Sequence, residues 1–159
     1  MIIKPPTIFD YKNKSVFLAG TIDNGTAYPW ADKIPEMIND DSVAFLNPRR
    51  DDWDTSLEQS IDNDKFVEQV EWELEGIRNC DIVFFNFLGG SKSPVTMLEL
   101  GICISERPND IIVVCPKDFW RKGNVDIVCS QKNITVYENL SQAIVELDRR
   151  LLQIEEPAK

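Results

Sequence analysis

The run D-I-V-F-F-N-F, residues Asp81 to Phe87, decides the fold. Only Asp81 and Asn86 interrupt it with polar groups. A strand with one wet face would alternate apolar and polar residues. This one does not, so it is expected to be covered on both faces, as parallel strands between helical layers are. The chain then turns at Gly89-Gly90. Ser93 reads as an N-cap and Pro94 as the first helical residue, which predicts a helix over Pro94–Ser105.

The same logic extends in both directions. Ser15–Ala19, ended by Gly20, reads as a buried strand, and Ser42–Asn47, stopped by Pro48, as a second. Asp110–Cys115 makes a fourth strand and Asn133–Tyr137 a weaker fifth. Between them lie helices at Pro29–Asn39 and Asp64–Arg78, with a C-terminal amphipathic helix at Leu140–Ile154. Phe66, Val67, Val70, Leu74 and Ile77 form the apolar stripe of the second helix. Strands and helices alternate over short connections, which predicts an α/β fold: one domain over residues 1–159, core about 15–154, with a doubly wound five-stranded parallel sheet. Residues 1–13 and 155–159 read as loosely held ends. Arg49–Asn63 is a long polar loop, a length usually tied to function.

The 159 residues suit one core, and 43% hydrophobic with 28% charged residues is ordinary for a soluble domain. No apolar run reaches the roughly 20 residues of a membrane span. The N-terminus lacks the basic and apolar regions of a signal peptide, so the chain is expected in the cytoplasm. A net charge of −10 repels phosphate backbones and argues against nucleic acid as partner. The chain has no histidine, so acid–base work would fall to carboxylates, Lys, Tyr or Cys. Cys80, Cys103, Cys115 and Cys129 form no C-x-x-C pair, so neither a zinc site nor a disulfide framework is expected.

In open parallel sheets, ligands sit beyond the carboxyl ends of the strands. Those ends carry Gly20, Thr21 and Asp23, then Asn47 and Arg49, then Gly89 to Ser93, then Lys117. Glu99 interrupts the apolar stretch S-P-V-T-M-L-E-L-G-I, residues 93–102. A helix dipole favours an acid in the first turn, but Glu99 lies past it. Its helical neighbours are apolar all round, so the helix reads as central, and Gly101 as a point of close backbone approach. Glu73 and Gln69, four apart, lie at the edge of the preceding helix's stripe. Glu68, Glu71 and Glu75 point away as a solvated face. Phe119 to Val125 reads as a surface loop offering aromatic faces, two cations and Asn124. Gly20 to Gly25 could present N–H groups to an anion but fits no dinucleotide or P-loop pattern.

Six motifs occur in order: Phe17-Leu-Ala-Gly-Thr21, Asn47-Pro-Arg-Arg50, Gln69-Val-Glu-Trp-Glu73, Asn79-Cys-Asp-Ile-Val83, Leu98-Glu-Leu-Gly101 and Phe119-Trp-Arg-Lys-Gly-Asn-Val125. Over roughly residues 15–150 the chain resembles the nucleoside 2-deoxyribosyltransferase family, in its phage and bacterial branch. The resemblance implies a flavodoxin-like, Rossmann-like sheet and a homo-oligomer with sites near subunit contacts. It implies exchange of nucleobases on 2-deoxyribose, without metal or other cofactor. Glu99 matches the family's nucleophile and Glu73 the acid that protonates or orients the base. Asn124 matches an asparagine lent by a neighbouring subunit. Two positions depart from the pattern. Ser93 stands where many members hold an aspartate, and Val16 and Phe17 where active members hold a tyrosine.

The reaction this implies is transfer of 2-deoxyribose between bases through a glycosyl ester on Glu99. Nucleoside or nucleotide and nucleobase are the expected partners. Gly20, Thr21, Asp23, Asn47, Arg49, Trp53, Gln69, Ser93 and Asn124 are the expected contacts. Two alternatives stand beside it: an N-glycosidase acting on deoxynucleoside 5′-monophosphates, and a non-catalytic nucleotide-binding protein.

Overall fold

The computed structural model describes residues 1–23 and 26–154. Asn24 and Gly25 of the first turn, and the expected loose end 155–159, lie outside the described residues. The strands are β1 (Ile2–Ile3), β2 (Ser15–Gly20), β3 (Ala44–Leu46), β4 (Ile82–Asn86), β5 (Ile111–Val114) and β6 (Val136–Tyr137). The helices are α1 (Ile34–Ile38), α2 (Asp64–Asn79), α3 (Pro94–Glu106), α4 (Lys122–Ser130) and α5 (Leu140–Leu151). A short 3-10 turn, Trp30–Lys33, leads into α1.

All pairings are parallel, in the order β1-β3-β2-β4-β5-β6. Without β1 this is the flavodoxin-like order. Along β2 and β4, alternate side chains serve two cores. Phe17, Ala19, Val83, Phe85 and Phe87 face one, with Ile77 of α2, Leu100 and Cys103 of α3, and Cys129 of α4. Val16, Leu18, Ile82 and Phe84 face the other, with Ile34 and Ile38 of α1, and Ala143 and Leu147 of α5. The run 81–87 is apolar because both faces of β4 are covered. All four cysteines are free and buried. No helix among the described residues is long and apolar enough to cross a membrane.

Among the described residues the sheet has six strands, not five. Residues 1–13 are not a loose end: Ile2 and Ile3 pair with Phe45 and Leu46. The Met1 ammonium donates to the Val43 carbonyl at 2.7 Å, and the Trp72 indole to the Thr7 carbonyl at 2.8 Å. The segment after Phe119 is not a loop throughout, because Lys122–Ser130 is helix α4, docked by Val125 and Cys129.

Helix α3 lies over the central strands β2 and β4, as expected, but it is not covered all round. Val95 and Leu98 are 59% and 67% exposed, so one apolar face looks outward. Gly101 sits on this outer side and has no close neighbour. The close approach belongs instead to Gly76 of α2, where an added Cβ would lie 2.5 Å from the Phe17 ring. That contact seats α2 on β2.

The face of α2 is also rotated from expectation. Its buried residues are Gln69, Gly76 and Ile77, with Trp72 packed on Phe17 at 6.0 Å between ring centroids. Phe66, Val67, Val70 and Leu74 are only half-buried. Seating Gly76 on Phe17 turns Gln69 and Glu73 inward, at the expense of the apolar stripe.

Candidate active site

The order of the sheet reverses between β2 and β4, and their carboxyl ends open the crevice where such folds bind ligands. Gly20 closes β2 there. A Cβ on Gly20 would meet the Asn86 carbonyl and, at 2.5 Å, the Trp30 ring. Glycine alone lets β2, β4 and the Trp30 indole meet at this point. Trp30 donates to the Thr21 carbonyl at 3.0 Å, and the Thr21 amide to the Asn86 carbonyl at 3.1 Å. Thr96 of α3 donates to the Gly20 carbonyl at 3.0 Å, which locks α3 onto the end of β2.

Glu99 lies one turn further along α3 and is 9% exposed. Among the described residues no hydrogen bond reaches its carboxyl. Burial, and then the charge of Glu73, push it up to about 8. A buried acid without a partner is costly, and such perturbed groups concentrate at functional sites.

Glu73 comes from α2 on the same sheet face. Burial raises its carboxyl, and a hydrogen bond from Gln69 pulls it partly back. That bond, Gln69 Nε2 to Glu73 Oε1, is 2.8 Å. The second Nε2 hydrogen goes to the Pro48 carbonyl at 2.9 Å, just past the end of β3. Both amide hydrogens are therefore spent on acceptors, which fixes the orientation of the amide. Gln69 Oε1 is buried with no partner among the described residues. An unmatched buried acceptor costs about 1–3 kcal/mol.

Ser93 does not cap α3. Its backbone is left-handed, with φ of 44°, and no side chain caps that first turn. Its hydroxyl instead completes a buried triangle: Thr21 to Ser93 at 2.6 Å, Ser93 to Ser91 at 2.9 Å, Thr21 to Ser91 at 3.0 Å. Ser91 also donates to the Leu88 carbonyl at 2.8 Å, and Thr21 accepts from the Leu88 amide at 3.0 Å. Ser91 and Thr96 were not among the sequence candidates. A hydroxyl near a strand's carboxyl end was their only sequence signal.

Of the other candidates, Asn47 and Arg49 line a narrow cleft with Thr21, Tyr28, Trp30 and Asp32. Asn47 is buried and braces the loop, donating to Asp32 at 2.9 Å and accepting from the Arg49 amide at 3.0 Å. Arg49 donates to the Ala27 carbonyl at 3.0 Å. Asp23 is exposed, Trp53 half-buried in the long loop, and Asn124 exposed on α4. No hydrogen bond or ion pair joins these three to the two glutamates among the described residues.

A larger open groove of about 510 Å³ lies at the opposite ends of the strands, lined by Arg78, Asp81, Glu106 and Arg107. Arg107 there is committed to the carbonyls of Ile77 at 2.7 Å and Cys80 at 2.6 Å. Its role is to tie α3 to the end of α2. Among the described residues no group of three or more cysteine, aspartate or glutamate side chains is arranged to hold a metal ion.

What the crevice offers is therefore two carboxyls with raised proton affinity, on two helices, beside a patch of hydroxyls. One can attack an electrophilic carbon while the other holds a proton for the leaving group. The family profile described as "Nucleoside 2-deoxyribosyltransferase like" matches residues 13–119. No curated protein matches the chain.

Proposed function

The chain belongs to the nucleoside 2-deoxyribosyltransferase-like family, and on that premise we propose that it moves 2-deoxyribose from one nucleobase to another. The observation that carries this is Glu99: a buried residue whose carboxyl has no hydrogen-bond partner among the described residues, raised by burial and then by the charge of Glu73.

In this reading a Glu99 oxygen attacks C1′ of the sugar. The C1′–N bond breaks and its electron pair stays on the base nitrogen. Glu73 gives its proton to the departing base, so the base leaves neutral. The transition state has oxocarbenium character, which a carboxylate stabilises as charge partner and then traps as an ester. A second base attacks C1′ of that ester, frees Glu99 and returns a proton to Glu73. The exchange is balanced and regenerates both acids.

The test is to mix a deoxynucleoside with a different free base and look for the new nucleoside. Its formation, and its loss in Glu99→Gln, supports transfer. Tight nucleoside binding with no turnover, unchanged in Glu99→Ala, overturns it in favour of a binding protein.

A second reading is favoured by the hydroxyl triangle. Thr21, Ser91 and Ser93 adjoin the uncapped first turn of α3, where relatives often place a carboxylate. A phosphate is tolerated at such a helix terminus and a carboxylate would repel it. The same Glu99 ester resolved by water would make the protein an N-glycosidase of deoxynucleoside 5′-monophosphates. Release of deoxyribose 5-phosphate without acceptor base distinguishes it.

Self-association fits the same reading. Val95 and Leu98 of α3 and Ile127 and Val128 of α4 are exposed apolar residues, and Asn124 lies on the same α4 helix. A second copy covering them would also bury Asn124, which shares that face of α4 with Ile127 and Val128.

A further inference from the structure

Gln69 has an arrangement that the base-exchange chemistry does not itself require. The residue is 7% exposed, yet among the described residues its Oε1 meets no donor. The amide cannot turn to relieve this, because Nε2 already serves Pro48 and Glu73 at 2.9 and 2.8 Å. A reversed amide would set oxygen against two acceptors. So the structure holds an unmatched acceptor next to the acid, at the carboxyl end of β3, closed to solvent in this form and reached by a base as the crevice widens. Glu73 uses Oε1 for this bond, and its Oε2 has none among the described residues.

We propose that Gln69 selects the nucleobase, favouring bases that carry an amino group beside an unprotonated ring nitrogen, as adenine and cytosine do. The proposal rests on the base-exchange reading. Gln69 Oε1 accepts from the amine while protonated Glu73 faces the ring nitrogen. Adenine presents this pair as N6 and N7, and cytosine as N4 and N3. Hypoxanthine, guanine and uracil place a carbonyl oxygen where the amine would be. Acceptor then meets acceptor, and both are left desolvated and unpaired. Sites built around one buried hydrogen bond reject analogues that lack it far more strongly than apolar pockets reject a change of size.

The test compares base release from 2′-deoxyadenosine, 2′-deoxyinosine, 2′-deoxycytidine and 2′-deoxyuridine, each with the same free acceptor base to resolve the ester, for the natural protein and for Gln69→Met. The expected result is a preference for each amino base over its keto counterpart of roughly 10- to 100-fold in kcat/KM. In Gln69→Met that ratio collapses to within about threefold, because the acceptor is gone. A residue that only braces Glu73 would slow all four substrates alike and keep the ratio, which overturns the proposal. So does a natural protein with no preference. Should Gln69→Met fail to fold, the unsubstituted purine deoxynucleoside decides the matter in the natural protein. It should fall between the amino and keto purines, and a rate matching the keto one overturns the proposal. Base release from none of the four overturns the base-exchange reading, and this inference with it. Release without preference overturns this inference alone.

Discussion

Glu99 of α3 and Glu73 of α2 are coupled: burial, and then the charge of Glu73, lift the Glu99 carboxyl to about 8. Glu73 is itself raised by burial. Two acids that interact this way lose their protons in two steps that belong to the pair. The competent form has one proton: at rest Glu99 holds it beside charged Glu73, and its passage to Glu73 leaves Glu99 ionised to attack and Glu73 ready to donate. It is absent when both are protonated and again when both are ionised. Activity should therefore follow a bell. Its acid limb lies above the ordinary carboxyl range and its alkaline limb near 8. A profile of kcat/KM that stays flat from pH 5 to 9 would exclude this coupling.

Replacing the acid separates its two duties. Glu73→Gln keeps the shape and the neighbour of Gln69 but holds no transferable proton. General acid catalysis contributes about 10²- to 10⁴-fold, so base release should fall by that order. A deoxynucleoside whose purine is already methylated at N7 carries a positive base that leaves without a proton. It should be cleaved almost as fast by Glu73→Gln as by the natural protein. The substitution also removes a charge from beside Glu99, so the pKa of Glu99 should fall and Glu99 should ionise more readily. Equal losses on both substrates would mean that Glu73 does not supply the proton.

Glu99 also links stability to pH. Its carboxyl is near 4.5 when unfolded and about 8 when folded, so between these values the native state binds the extra proton. Stability that depends on neutral Glu99 is complete below about pH 4.5, declines as pH rises, and is lost above about 8. Glu99→Gln stays neutral throughout and should overtake the natural protein in this window, with a gain on the order of 3 kcal/mol at pH 8. Denaturant midpoints for both proteins at pH 5 and pH 8 measure it. Parallel behaviour at the two pH values would contradict the burial of Glu99.

The sequence carried the parts of this architecture that write a long, regular pattern. β2, β4 and β5 are apolar runs because both of their faces are covered, and α5 shows a clean stripe. The crevice was legible because Glu99 breaks such a pattern. What was not legible depends on contacts rather than periodicity. β1 has two residues, too few to show a period, and is made by backbone pairing to β3. α4 docks by Val125 and Cys129, while the aromatic and charged residues before it resemble a loop. Ser93 has the composition of a cap, yet Thr21 and Ser91 claim its hydroxyl at 2.6 and 2.9 Å. The inward turn of Gln69 and Glu73 follows from one glycine against one ring, and no count of apolar positions on α2 reveals it.

That glycine gives the last prediction, together with its counterpart on α3. Both Gly76 and Gly101 lie inside helices, where alanine is intrinsically better by about 0.5–1 kcal/mol. At Gly101 an added Cβ meets nothing within 4 Å. Gly101→Ala should therefore stabilise the protein by roughly that amount and leave the site two residues away intact. At Gly76 the added Cβ meets the Phe17 ring at 2.5 and 2.7 Å and a Leu46 methyl at 3.3 Å. Phe17 is fully buried in the sheet and has no room to retreat. Gly76→Ala should cost about 1–3 kcal/mol despite its better helix propensity. It should also lift α2 from β2, carrying Gln69 and Glu73 away from Glu99. Activity in Gly76→Ala should accordingly fall more than the stability loss explains, measured at a temperature where the variant remains folded. Full activity in a folded Gly76→Ala would mean that the seating of α2 on Phe17 does not place the acid.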